Sequence, residues 1–174
     1  WGPGDYNGAI LMRIDNDLTP KVIQCDIHGH NGLAFSPDKR WMFTSDTPNG
    51  VIYRTPLDEQ GEPGKREEFR RFSEGEGMPD GAAMDEEGCY WSALFDGWRI
   101  ARFSPQGEQL EEYRLPVRCP TMVCFGGDDM KTLFITTTRE NMEAEELAKY
   151  PLSGAIFTLP VNVAGMKKSR FIER

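Results

Sequence analysis

The sequence is short of the residues that build the commoner metal and redox sites. It has two histidines, His28 and His30, and four cysteines, Cys25, Cys89, Cys119 and Cys124. No pair of cysteines has C-x-x-C spacing, which argues against a zinc ribbon, and so small a set at such spacing is no disulfide framework. Cys89 and Cys124 lie inside apolar runs, so reduced, buried thiols are expected, as in a cytoplasmic protein. No basic run offers the phosphate footprint of a nucleic-acid binder, and the net charge is −8. No apolar stretch approaches a membrane span and no signal peptide opens the chain, so neither membrane nor nucleic acid is an expected partner. The first residue is Trp1 and not Met, and an upstream portion is therefore expected.

Charged residues at 28% and a hydrophobic set at 39% describe a globular composition, and 174 residues suffice for one domain. Within it, two stretches match: Asn31-Gly-Leu-Ala-Phe-Ser-Pro and Pro79-Asp80-Gly-Ala-Ala-Met-Asp. Each has a small polar oxygen donor, then glycine, then an apolar run, a turn and a second apolar strand. A third copy, from Pro120, has lost the polar start and carries Thr121 in its place. Asp80 follows Asn31 by 49 residues and Thr121 follows Asp80 by 41, a period that belongs to propellers and solenoids.

The remaining pattern is a series of short strands. A hairpin is expected from residues 8–15 and 21–25. A first full unit has strands at 33–35, 41–45, 50–56 and 67–72. A second has them at 82–84, 89–93, 99–104 and 109–115. A third has them at 122–125, 132–137 and 154–159, with a weaker one at 170–172. Residues 139–150 are rich in helix formers and lack β-branched residues, which predicts a short helix inserted between two strands. Four strands per repeat favour a propeller over a sandwich. The expectation is an all-β fold, a partial six-bladed β-propeller of about three and a half four-stranded blades, with residues 1–174 forming a single incomplete domain. Alternating strand direction puts Asn31, Asp80, Thr121, the 46–49 and 95–98 connections and the helix on one face. Residues 36–39, 59–66 and 128–131 fall on the other. The helix would then lie over the first face as a lid.

On that face Asn31 and Asp80 supply hard oxygen donors of the kind that suit Ca²⁺, Mg²⁺ or Mn²⁺, whereas Zn²⁺ more often takes His or Cys. Standing alone, Asn-Gly and Asp-Gly are more often turns. Their repeat equivalence is what points them at a common centre. Asp46 could orient Asn31 or a water at the cation, or could cap the turn at Thr47-Pro48. His28 and His30 share a face in an extended chain; lining of the channel mouth is preferred to ligation. Phe95 and Trp98 could floor a sugar site, with packing under the helix preferred.

Several motifs together resemble the SMP-30/gluconolactonase/luciferin-regenerating-enzyme family. They are Asn31-Gly-Leu-Ala-Phe-Ser-Pro-Asp, Pro79-Asp-Gly with Asp85 and Gly88, Trp91, Arg99-Ile-Ala-Arg-Phe, Leu115-Pro-Val, Cys124-Phe-Gly-Gly, Leu133-Phe-Ile-Thr and Gly154-Ala-Ile-Phe. The resemblance runs in order along essentially the whole chain and corresponds to the C-terminal half of that family, or slightly more. It implies a six-bladed propeller with one divalent cation in its channel, calcium first and magnesium, manganese or zinc as substitutes. It also implies Asn31 and Asp80 as metal ligands and Asp80 as general base. Arg139 matches an arginine near the same strand end in relatives; it could meet substrate oxygens or form a salt bridge at the rim. The family's metal-ligating glutamate has no counterpart here, and its N-terminal blades are absent.

Two functions follow. One is hydrolysis of a sugar lactone, with the cation polarising the carbonyl and Asp80 taking the proton of the attacking water, carried out by a longer parent protein. The other is a non-catalytic scaffold or a cation- or ligand-binding module, this chain being inactive without the glutamate. Open propeller edges would pair with the rest of a longer chain or with a second chain.

Overall fold

A computed structural model describes residues 8–167. Its strands are β1 (Ala9–Ile14), β2 (Pro20–Ile27), β3 (His30–Phe35), β4 (Trp41–Asp46), β5 (Val51–Pro56), β6 (Glu67–Arg71), β7 (Met78–Met84), β8 (Tyr90–Phe95), β9 (Arg99–Phe103), β10 (Gln109–Arg114), β11 (Pro120–Gly126), β12 (Thr132–Thr137) and β13 (Ile156–Pro160). One helix, α1 (Ala144–Lys149), sits between β12 and β13, and a single 3₁₀ turn, Thr47–Asn49, joins β4 to β5. The expected loop at 1–7 and the weak strand at 170–172 lie outside the described residues.

Every strand pairs antiparallel with its neighbour in sequence, giving four sheets in chain order: β1-β2, β3-β4-β5-β6, β7-β8-β9-β10 and β11-β12-β13. The leading strands of the last three sheets, β3, β7 and β11, pack side by side. The fold is thus all-β and propeller-like, as the repeat predicts.

Two apolar layers hold the sheets together. Between the second and third sheets, Phe43, Ile52, Phe69, Phe72, Tyr90 and Phe103 interlock. Phe43 meets Phe69 edge-on with centroids 5.0 Å apart, and Phe72 meets Phe103 at 5.8 Å. Between the third and fourth sheets, Trp91, Ile100, Val123, Phe125, Leu133 and Ile135 do the same. In the fourth sheet these residues alternate with outward ones at the two-residue period of a strand, whereas β4 and β8 are buried on both faces. The outer face of the fourth sheet has no such cover among the described residues: Phe134 is 41% exposed and Ile156 68%. The hairpin is tied to the second sheet by polar contacts, with Arg13 and Lys21 both reaching Glu62 at 2.8 and 2.7 Å.

The structure departs from the sequence reading at the start of each leading strand. β3, β7 and β11 begin at His30, Met78 and Pro120, two to four residues earlier than the apolar runs suggest. The cause is a bulge in each: the pairing register shifts between Asn31 and Ala34, between Pro79 and Ala82, and between Pro120 and Met122. A bulge absorbs an extra residue, so the polar-Gly dipeptide continues the ladder when it would otherwise turn it. Gly32 takes φ +59°, the left-handed conformation that glycine tolerates. The helix is also shorter than 139–150. Asn141 takes a left-handed φ of +56° and Glu143 is extended, so the helical backbone cannot run upstream of Ala144.

Candidate metal and lactone site

The three bulges bring their residues together. A Cβ built on Gly32 would stand 3.0 Å from the Asp80 carbonyl oxygen and would collide with the hydroxyls of Ser45 and Tyr90. A Cβ on Gly81 would lie 2.6 Å from the Thr121 carbonyl and strike the Met122 sulfur. The glycines therefore let three backbones close up, with Asn31-Gly32, Asp80-Gly81 and Thr121-Met122 in adjacent places.

Hydroxyls lock this meeting point. The fully buried Tyr90 donates to the Gly32 carbonyl at 2.7 Å and lies 3.2 Å from the Ser45 hydroxyl. Burial, the largest effect, pushes the Tyr90 pKa well up and keeps the phenol protonated as a donor. Thr47 donates to the Pro79 carbonyl at 2.7 Å and accepts from the Asn31 side-chain nitrogen at 2.9 Å.

Asp80 differs from every other carboxylate around it. It is half-buried, and among the described residues it accepts no hydrogen bond and has no ion-pair partner. Loss of solvent pushes its pKa up to about 6. A negative oxygen donor held where water is partly excluded, with no counter-charge, fits a cation. Asn31, whose nitrogen is committed to Thr47, keeps its carbonyl oxygen free for the same purpose. These two residues fit a hard divalent ion as a partial donor set, and no group of three His, Cys, Asp or Glu among the described residues completes it.

The other candidate residues fall elsewhere. Asp46 is 2% exposed, accepts from the Asn49 side chain at 2.9 Å and from the His28 backbone N–H at 3.4 Å, and among the described residues makes no hydrogen bond with Asn31 and leaves its buried Oδ1 without a partner. It braces the neighbouring loop, and no side-chain cap of the Thr47 turn forms. The two histidines do not act as a pair. The His28 ring faces outward and meets Asn49 at 2.9 Å, whereas both His30 nitrogens are inaccessible and unpartnered among the described residues. Burial, followed by the charge of Arg66, lowers the His30 pKa. Arg139 is exposed and makes no ion pair among the described residues; its stem lies against Gly154.

The residue that anchors α1 is Arg118, which sequence reasoning missed. It pairs with Glu146 of α1 at 2.8 Å and Asp96 at 3.1 Å, and donates to the Asn141 carbonyl at 2.9 Å. Trp98 packs edge-on against Tyr150 at 4.8 Å. The helix thus docks on the β8–β9 connection, on the face that carries Asn31 and Asp80. Only the spacing of Arg118 before a repeated strand start could have marked it. Beside it, Cys119 donates to Asp96 at 3.1 Å, and burial followed by that bond pushes its pKa up to about 11. All four cysteines are free.

Residues 2–139 match the SMP-30/Gluconolactonase/LRE-like region. The chain is 55% identical over 172 residues to 6-deoxy-6-sulfogluconolactonase of Pseudomonas putida, covering 98% of this chain and 59% of that protein. It is 30% identical to a pentonolactonase of Haloferax volcanii, over 97% of this chain and 60% of the relative. Its fold superposes on regucalcin, a calcium-binding protein of Agrobacterium tumefaciens, with TM-score 0.81 and 30% identity, over 86% of this chain and 51% of that one. The chain thus spans little more than half the length of the relatives it matches.

Proposed function

The chain belongs to the SMP-30/gluconolactonase/LRE-like family, and from that premise we propose that it forms the metal-ligand-bearing part of a sugar-lactone hydrolase built as a six-bladed propeller. The observation that carries this reading is the half-buried Asp80, which accepts no hydrogen bond among the described residues and stands on the strand packed against the one that bears Asn31. Lactonases at 55% and 30% identity support the substrate class.

Asn31 and Asp80 would hold one divalent cation, calcium by analogy with the regucalcin relative. When bound, that ion supplies polarisation of the lactone carbonyl and acidification of water. Asp80 takes the proton of the attacking water as the new C–O bond forms. The ring C–O bond then breaks, and the proton held by Asp80 goes to the departing ring oxygen, giving the open hydroxy acid. Partial burial raises the Asp80 pKa in the absence of a cation, whereas a bound cation would favour the ionised carboxylate that accepts the proton. Asn31 is neutral and can only ligate and orient. Arg139, exposed and without an ion pair among the described residues, would meet substrate oxygens.

The substrate to assay first is 6-deoxy-6-sulfogluconolactone, followed by unsubstituted aldonolactones, with and without chelator. Hydrolysis that needs cation and is lost in Asp80→Asn supports the reading. One observation favours a second reading for this chain alone: its donors form only a partial set. Cation binding without turnover by the 174-residue chain, alongside turnover by a full-length protein, would assign catalysis to the longer protein. Binding without turnover by either would make the propeller a cation-binding module.

A further inference from the structure

One polar contact where β3 meets β7 runs through Thr47, which bridges the Asn31 side chain and the Pro79 carbonyl. We infer that Thr47 is a positioning residue that fixes which atom of Asn31 faces the site and ties Asn31 to the strand carrying Asp80. The inference rests on the reading of Asn31 and Asp80 as a cation site.

The argument is one of donor and acceptor counting. A threonine hydroxyl has one proton to give. The Pro79 carbonyl can only accept, and Thr47 Oγ1 lies 2.7 Å from it, so the Thr47 proton is committed there. Toward Asn31 the same oxygen is left as an acceptor. The Asn31 side-chain atom 2.9 Å away must therefore be its NH₂, since two acceptors at that distance would repel. The amide plane then leaves Oδ1 as the free atom. Were the amide to turn over, a nitrogen would be offered to a cation.

The second half of the contact acts on Asp80. Pro79 precedes Asp80, and its carbonyl lies beside the bulge of β7. One hydroxyl thus spans two sheets and holds the two donors in register. Thr47 itself is fixed, because it opens the 3₁₀ turn Thr47–Asn49, with Pro48 next in sequence and Gly50 closing the turn in the left-handed conformation. Ser45 and Tyr90 perform the matching service for the Gly32 backbone, but only Thr47 touches a donor side chain.

Substitution at this one hydroxyl tests the inference on the 174-residue chain with calcium ion as the probe. Thr47→Val keeps the shape and removes the hydroxyl; Thr47→Ser keeps the hydroxyl. By calorimetry, Thr47→Val should weaken calcium binding about tenfold or more, the scale seen when a ligand's supporting bond is removed, and Thr47→Ser should restore it. In an Asn31→Asp background both side-chain atoms are oxygens, so orientation no longer matters and Thr47→Val should cost about threefold or less. A cation-free readout runs alongside. The Asn31 side-chain amide protons should show one slowly exchanging NMR signal that disappears in Thr47→Val and persists in Thr47→Ser. Equal calcium affinity in Thr47→Val and the parent, with Asn31→Ala and Asp80→Asn both weakened, would overturn the role of Thr47 while leaving the site intact. Unchanged amide exchange in Thr47→Val would overturn it whatever the cation does. If Asn31→Ala and Asp80→Asn also bind calcium like the parent, the site reading fails and Thr47 falls with it.

Discussion

Asp80 and Asp85 stand at opposite ends of one short strand, and they show two ways of burying a carboxylate. Asp85 is fully buried and saturated. One oxygen accepts from the backbone N–H groups of Glu87 and Cys89 at 3.0 and 2.9 Å; the other accepts from Trp91 Nε1 and Arg102 Nε, both at 2.9 Å. Arg102 extends the network to Glu87 and Glu111. Asp80 has lost solvent without gaining a donor. Every bond of the buried Asp85 charge is made, whereas the half-buried Asp80 accepts no hydrogen bond among the described residues.

The largest effect should come from breaking the saturated side. Asp85→Ala leaves Arg102 and the Trp91 indole buried without their acceptor, and should cost about 3–5 kcal/mol in urea unfolding. A variant that melts like the parent would remove the distinction. Next is Asp80→Asn, which should melt no lower than the parent in the absence of cation, because a neutral amide is cheaper to desolvate than a carboxylate. In a protein with lactonase activity it should lower turnover about 10²–10⁴-fold even at saturating calcium. Parental turnover would end the base assignment.

A smaller effect is expected from Arg118→Ala. It cuts α1 from Asp96 and from the loop below, so amide exchange across 144–149 should quicken while global stability falls by about 1 kcal/mol or less, since the ion pairs are partly solvated. Exchange protection equal to the parent would show that Trp98 and Tyr150 suffice. The smallest comes from a third kind of carboxylate, exposed but paired. Hydrogen bonds from Lys21 and then Arg13 hold Glu62 down from its ordinary 4.5 to about 2. Its folded form binds protons more weakly than its unfolded form, so its contribution is full above pH 4.5 and is lost as pH falls through about 2. Fraying of the β1–β2 hairpin, read by exchange of its amides, should appear in that window and be absent in Glu62→Gln, whose hairpin would be equally loose at every pH.

Much of this was legible in the residues. Alternating apolar positions give the strands, and the recurrence of a polar residue before glycine aligns three of them. The sheet order follows, since neighbours in sequence pair in space. What the letters could not convey is that Asn31-Gly32 is a bulge. Asn-Gly signals a turn by local conformation, and only pairing with β4 on one side and packing on β7 on the other makes it continue a strand. The fates of His28 and His30 were hidden for a similar reason: they share a face only while the chain is extended, and β3 begins between them, at His30. Arg118 was invisible because its three partners come from two distant connections, Asp96 between β8 and β9 and Asn141 and Glu146 between β12 and β13. Asp85 was visible only as part of a motif, with nothing in its spacing to show that Arg102 would close on it.

Asn31 and Asp80 belong to different sheets, and this gives any ion between them a mechanical meaning. Whatever joins the two side chains also fastens the second sheet to the third across their innermost strands. A binder that sees only the assembled pair returns its binding free energy as adhesion between sheets, and that adhesion grows with the logarithm of its concentration. The site would then serve as a rivet between sheets, whatever chemistry it carries. Withdrawal of the ion would slacken the seam, leaving the aromatic layer behind it to carry the load alone.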